Sequence, residues 1–139
     1  MQVFIIGTVY ETAEALDPRR LWKQILEADQ IIKAIEGQSK WSRHPVFEMY
    51  RPHIDWLRLY KTTLELYRSG CLDDARKYSD TAELFKPDFI GPYLTDQMKR
   101  RLYTKDKEYY KQWADLGESN INFYYVSGSW LQYQNGKRL

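Results

Sequence analysis

The stretch Asp17–Glu36, DPRRLWKQILEADQIIKAIE, decides how this chain folds, because it reads as one helix with its own start and stop. Asp17 offers a side chain that accepts hydrogen bonds from free backbone amides, and Pro18 needs no donor in a first helical turn. Gly37 is the matching stop after Ile35 and Glu36. Leu21, Ile25, Ala28, Ile32 and Ile35 recur at helical spacing while Trp22 and Leu26 cover a further flank, so the helix is expected to pack on two sides. One narrow stripe is polar. At 100° per residue, Lys23, Gln24 and Glu27 fall within about 60° on either side of Arg20. Its plainer reading is a solvated network worth a few tenths of a kcal/mol per pair. Ile31 continues the stripe one turn on, however, so a partly covered groove is expected, in which the acid needs good pairing.

Outward from this helix, Val3–Thr8 is a short apolar run, either a strand or a buried extended lead-in, with Gly7 permitting close backbone approach. Gln38–Pro45 reads as a connection, and Pro45 or Pro52 opens the next helix. Trp56, Leu59, Tyr60, Thr63, Leu64, Leu66 and Tyr67 predict a second main helix over His53–Ser69, stopped by Gly70. A shorter one is expected over Leu72–Tyr78, with Asp73 and Asp74 in its first turn. Pro87, Gly91 and Pro92 make Lys86–Tyr93 irregular, and Thr95 or Asp96 caps a third main helix reaching roughly Trp113. Ile121–Tyr133 is aromatic but broken by Ser127, Gly128 and Ser129; it reads as an extended tail across the helices, with helix or hairpin as alternatives. The expected fold is therefore all-α or mostly α: a compact single domain over residues 1–139 with three main helices and an aromatic C-terminal tail.

Composition narrows the function. A chain of 139 residues with 43% hydrophobic content supports one core rather than two. With 21 basic and 19 acidic side chains the net charge is only +2, so attraction to a polyanion must come from clustering. Clusters occur at Arg19, Arg20 and Lys23, at Lys40, Arg43 and His44, and at Lys99, Arg100, Arg101, Lys105 and Lys107. Each alone reads as a solvated face; converging, they would form a patch. The 12 Tyr, 5 Trp and 5 Phe exceed what a core this size hides, so some rings are expected at the surface, where they can stack on a base or a partner. A single cysteine, Cys71, excludes an intrachain disulfide and a thiolate zinc cluster, and the two histidines have no zinc-ligand spacing. There is no glycine-rich phosphate loop, nucleophile elbow or zinc-deaminase signature. No metal, cofactor or membrane partner is expected, and the default location is cytoplasmic, including the bacterial nucleoid or a phage-infected host cytoplasm.

Four stretches together carry a family resemblance. MQVF at the start runs on to LDPRRLWKQILEADQI at Leu16–Ile31, followed by WSRHPVFEMY at Trp41–Tyr50 and, more weakly, MKRRLYTKDKEYY at Met98–Tyr110. In order and spacing they resemble the small pyrimidine-dimer DNA glycosylase/endonuclease V family, bacterial and phage branch. The resemblance implies a helical DNA-repair enzyme whose N-terminal amine attacks C1′ of a damaged nucleotide, forms a Schiff base and cuts the strand by β-elimination, supported by a glutamate. Carried onto this sequence, the R-L-x-K-Q-x-x-E pattern is Arg20, Leu21, Lys23, Gln24 and Glu27, making Met1 and Glu27 the expected catalytic pair. A one-turn shift would put Gln24 in the place of the acid. Arg19, Arg20, Lys23, Gln24, Arg43 and His44 are the expected contacts to double-stranded, damaged or modified DNA.

The chain also departs from that pattern. Characterised members expose a small residue after methionine removal, whereas bulky Gln2 is expected to leave Met1 in place. Where the bacterial branch has histidines before the later basic helix, this chain has Thr95, Asp96, Gln97 and Met98. These departures keep a second class open: a noncatalytic module of the same fold that recognises distorted DNA or a protein partner.

Overall fold

The computed structural model describes residues 1–37 and 44–139. The described residues form a mostly helical protein, but with six α-helices rather than three and with a three-stranded antiparallel sheet in place of an extended tail. The expectation of an all-α or three-helix fold is corrected on both counts.

Helix α1 (Val9–Ala15) is set by a capping box: the Thr8 hydroxyl accepts from the Glu11 amide at 3.1 Å, and the Glu11 carboxylate accepts from the Thr8 amide at 3.0 Å. Gly7, at φ +142°, makes room for it, since a Cβ there would lie 3.0 Å from the Glu11 carboxylate. Helix α2 (Pro18–Gly37) follows the expected span. Asp17 holds its start by accepting from the Arg20 amide at 3.4 Å, and the Asp17 amide donates to the Tyr110 hydroxyl at 2.9 Å.

Helix α3 (Pro45–Tyr50) leads through a 3₁₀ turn (Arg51–His53) into α4 (Ile54–Arg68), the central packing partner of α1, α2 and α5. Helix α5 (Leu72–Leu84) runs beyond the expected Tyr78 because its contact face consists of Ala75, Ser79 and Ala82. Small residues let helices approach closely yet contribute little to a hydrophobic pattern. Helix α6 (Pro92–Lys105) begins at Pro92, earlier than Thr95, and stops well before Trp113. Asp106 is extended there, and its carboxylate caps the next turn through the Tyr109 amide at 3.0 Å. Trp113 instead belongs to a 3₁₀ segment (Lys111–Leu116).

The C-terminal aromatic stretch is a meander of β1 (Asn122–Val126), β2 (Ser129–Gln134) and β3 (Lys137–Arg138). Ser127-Gly128 and Asn135-Gly136 are two-residue turns with positive φ at both positions, 52° and 80° and then 53° and 76°. This is the type I′ geometry that matches strand twist, so Ser127-Gly128, read as an interruption, is itself a hairpin turn. Alternation along β1 places Phe123 and Tyr125 on one face with Trp130, and Asn122 and Tyr124 on the other.

The lead-in before α1 is buried at Val3, Phe4 and Ile5 but joins no strand. Its backbone groups are satisfied by side chains, as buried amides and carbonyls require. The Phe4 amide donates to the Gln24 side chain at 2.8 Å, the Phe4 carbonyl accepts from the Tyr60 hydroxyl at 2.7 Å, and the Ile6 amide donates to the Thr12 hydroxyl at 2.8 Å. Apolar residues of the lead-in, α1–α4, α6 and β1 share one hydrophobic core with Trp56, Tyr60 and Leu64 at its centre. The consequence is local: the first residues of the chain lie across the polar stripe of α2.

Candidate functional site

Gln24 is the hub of this crossing. It is 2% exposed, and its side-chain nitrogen donates to the Gln2 carbonyl at 2.9 Å and to Glu27 Oε2 at 3.0 Å. Its side-chain oxygen accepts from the Phe4 amide at 2.8 Å and from the Tyr60 hydroxyl at 2.9 Å. The backbone partners determine which way the amide points. A flip would set nitrogen against the Phe4 N–H and oxygen against the Gln2 carbonyl, so the donor facing Glu27 is fixed by the fold. Gln24, expected as a DNA contact, has its side-chain amide engaged by these four partners.

Gln2 anchors the other side of the lead-in. Its side chain pairs with the backbone of Phe123 in both directions, donating to the carbonyl at 3.0 Å and accepting from the amide at 2.9 Å. The Tyr124 hydroxyl donates to the Met1 carbonyl at 2.7 Å. The N-terminus is thus clamped between α2 and β1, with Gln2 3% exposed and the Met1 side chain largely free at 42%.

This clamp brings the Met1 amine to Glu27. Burial pushes the Glu27 carboxyl above its usual value, and it is pulled part of the way back by the amine, by Lys23 and by a hydrogen bond from the Gln2 backbone amide. Burial holds the amine below its usual value; Glu27 opposes this, while Arg101, Lys105 and Lys23 add to it. Both groups border a cavity of about 370 Å³. Its walls are Met1, Gln2 and Phe4 from the lead-in; Arg19, Arg20, Lys23, Gln24 and Glu27 from α2; Arg101 and Lys105 from α6; and Asn122 from β1.

The expected residues divide accordingly. Met1, Glu27, Arg19, Arg20, Lys23 and Gln24 meet at the cavity, where Arg20 is also paired with Asp17 at 3.2 Å. His44 is beside the site rather than in its wall. Its Nδ1 accepts from the Val46 amide at 3.1 Å to cap α3, and its ring packs edge-on against Phe47 and Tyr124. Burial, then the positive amine, holds its pKa below the usual value. Arg43 lies outside the described residues. Arg101 and Lys105, one turn apart on α6, stood out in the sequence only as members of a basic cluster and not as site residues, and Asn122 carried no signal.

Among the described residues no cluster of three or more histidine, cysteine or acidic side chains is arranged to hold a metal ion, and no helix is long and apolar enough to cross a membrane. No curated protein and no solved structure matches the chain. The family model described as pyrimidine dimer DNA glycosylase matches residues 1–66, a distant likeness over less than half of the 139 residues that takes in the Met1 and Glu27 wall of the cavity and leaves out the wall of Arg101, Lys105 and Asn122.

Proposed function

We propose that this protein is a DNA-repair enzyme that uses the Met1 amine as nucleophile and Glu27 as its acid–base partner, acting as glycosylase and abasic-site lyase on damaged or modified pyrimidines. The observation that carries the reading is the apposition of amine and carboxylate in a cavity otherwise rich in cations. An amine held below its usual pKa has more of its neutral form near pH 7, which is the form that attacks carbon. The family likeness over residues 1–66 supports the same assignment.

The chemistry balances without a cofactor. The amine nitrogen bonds to C1′ as the glycosidic bond breaks, and the departing base carries away the electron pair and takes up a proton. Opening of the sugar ring leaves an iminium between Met1 and C1′. Removal of a proton from C2′ then shifts electrons so that the C3′–oxygen bond breaks and the phosphate leaves; water finally hydrolyses the imine. Glu27 is positioned to take the amine's proton during attack and to stabilise the cationic sugar. Gln24 keeps that carboxylate aimed, since it donates to Oε2 from an orientation that cannot invert.

Borohydride trapping on duplex oligonucleotides tests this reading. With a cyclobutane pyrimidine dimer as substrate, a reduced adduct is expected at the Met1 nitrogen, located by peptide mass spectrometry, and Glu27→Gln should lose it. An abasic duplex gives the lyase half alone, but exposed amines also react with that aldehyde, so adducts elsewhere on the chain count for nothing. Absence of any Met1 adduct on either substrate, under conditions where DNA is bound, refutes the covalent mechanism. DNA binding that persists in that case, weakening with salt, identifies the noncatalytic module instead.

A further inference from the structure

We infer that a second cavity, between the junction of α1 with α2 and the end of α4, binds a free α-amino acid with an aromatic side chain. The cavity has a volume of about 310 Å³ and shares no lining residue with that of Met1 and Glu27. Small-molecule sites begin at roughly 300 Å³ and combine an apolar surface with a few polar groups. Leu16 and Leu21, both buried, and Pro18 supply the apolar floor here. Tyr67 from α4 and Tyr109 from the turn after α6 supply the rings. Tyr67 is packed edge-on against Tyr10 at 5.5 Å, and Tyr109 is half exposed, so a further aromatic ring entering the cavity finds partners for edge-to-face or offset contact.

Charge accounts for the choice of ligand. One carboxylate, Glu14, and one guanidinium, Arg68, line the cavity. Among the described residues neither forms a salt bridge, with the other or elsewhere. Glu14 stands in the last turn of α1, where the helix dipole disfavours an anion and no basic residue offsets it. What it lacks is a cation. Arg68 is stacked on Trp22, its guanidinium carbon 4.3 Å from the ring centroid, which orients the fork and leaves its N–H edges for a carboxylate. Burial, then Glu14, Tyr10 and Tyr109, holds the Tyr67 hydroxyl above its usual pKa, so it remains a donor beside Glu14. A zwitterion with its ammonium toward Glu14 and its carboxylate toward Arg68 pairs both charges and brings no net charge with it. Its side chain then lies on Leu16 and Leu21 between the two tyrosines. A phosphate would be repelled by Glu14, and a simple amine would leave Arg68 unpaired. The site is independent of any chemistry at Met1.

Titration of the full chain with L-phenylalanine, followed by ¹H–¹⁵N spectra, tests this site. Saturable shifts are expected at the amides of Ala13, Leu16 and Leu21 and not at those of Gln2 and Lys23. Glu14→Gln and Arg68→Gln, both at exposed positions, should keep the fold and each weaken binding about tenfold. Removing groups from the ligand gives the matching halves. Phenethylamine, which has no carboxylate, should bind about tenfold more weakly than phenylalanine and lose nothing further in Arg68→Gln. 3-Phenylpropionate, which has no ammonium, should lose nothing further in Glu14→Gln. No saturable binding, shifts confined to the cavity of Met1 and Glu27, or equal phenylalanine binding by the parent and both variants overturns the site. N-acetyl-L-phenylalaninamide binding as tightly as phenylalanine would assign the cavity to a side chain of a protein partner. Saturation by guanosine but not by phenylalanine would assign it to a nucleobase, and either result refutes the amino-acid assignment.

Discussion

The two walls of the cavity are built on opposite principles. On the α2 wall every polar group of the hub is committed: Gln24 makes four hydrogen bonds, and Gln2 locks onto Phe123. On the α6 wall Arg101 and Lys105 face the cavity without an ion-pair partner among the described residues, and one guanidinium nitrogen is unsatisfied. The difference is between a wall that holds the chain's own backbone in place and a wall that has donors left over. Stability should therefore reside in the first and ligand affinity in the second.

The sharpest way to break this comparison is to empty the hub. Gln24→Leu leaves the Phe4 amide and the Gln2 carbonyl without their partner, while the Tyr60 hydroxyl keeps the Phe4 carbonyl, and at roughly 1–3 kcal/mol for each buried orphan the loss should be about 3 kcal/mol in urea denaturation. Arg101→Gln should change stability by less than about 0.5 kcal/mol or raise it, because it removes a partly buried cation with no ion pair. Equal losses in the two variants would erase the distinction between the walls.

The next largest effect is expected at the other clamp. Gln2→Ala removes both bonds to the Phe123 backbone and should cost about 2 kcal/mol by the same measurement. It should also lower the yield of Met1 adduct, since the amine is then less firmly held. A smaller cost, about 1 kcal/mol, is expected for Gly136→Ala, which forces an L side chain to φ +76° in the second hairpin turn. That turn is remote from the hub, so Gly136→Ala should leave adduct formation unchanged.

The subtlest effect is electrostatic and runs in opposite directions on the two walls. Glu27 raises the pKa of the Met1 amine and Arg101 lowers it, so the amine's titration midpoint should fall in Glu27→Gln and rise in Arg101→Gln. Reductive ¹³C-methylation and NMR titration of the α-amine read both shifts. Linkage gives the sign for stability. The amine's folded pKa lies below its unfolded value of 8.0, so its protonated form disfavours folding; this contribution diminishes as pH rises through the folded pKa toward 8.0. The Glu27 carboxyl has its folded pKa above its unfolded 4.5, so its contribution weakens folding as pH rises from 4.5 through the folded value.

How much of this was legible depends on the kind of signal. Helix α2 was, because Asp17-Pro18, Gly37 and a regular apolar face all agree over one long segment. So was the shared face of Lys23, Gln24 and Glu27, since spacing along one helix is enough to place it. Helix α5 was cut short because alanine and serine pack closely without a hydrophobic signature, and the C-terminal sheet was obscured because Ser127-Gly128 was read as a break in an extended tail, with a hairpin only as an alternative, rather than as a type I′ turn. Met1–Gln2 stood out in the sequence only as a departure from the family pattern. In the fold, the buried Gln2 side chain is the anchor that presents the amine.

The sequence by itself determined the local periodic elements and the polar stripe, because those depend on residues a few positions apart. Tertiary structure alone decided what faces the stripe. The lead-in reaches α2 through Gln24 and β1 through Gln2, 121 residues from Phe123, and α6 brings Arg101 and Lys105 to the same cavity. Contacts across that separation leave no period in the chain. They arise because a buried backbone segment without a sheet partner must find its hydrogen bonds wherever side chains from the rest of the fold can supply them.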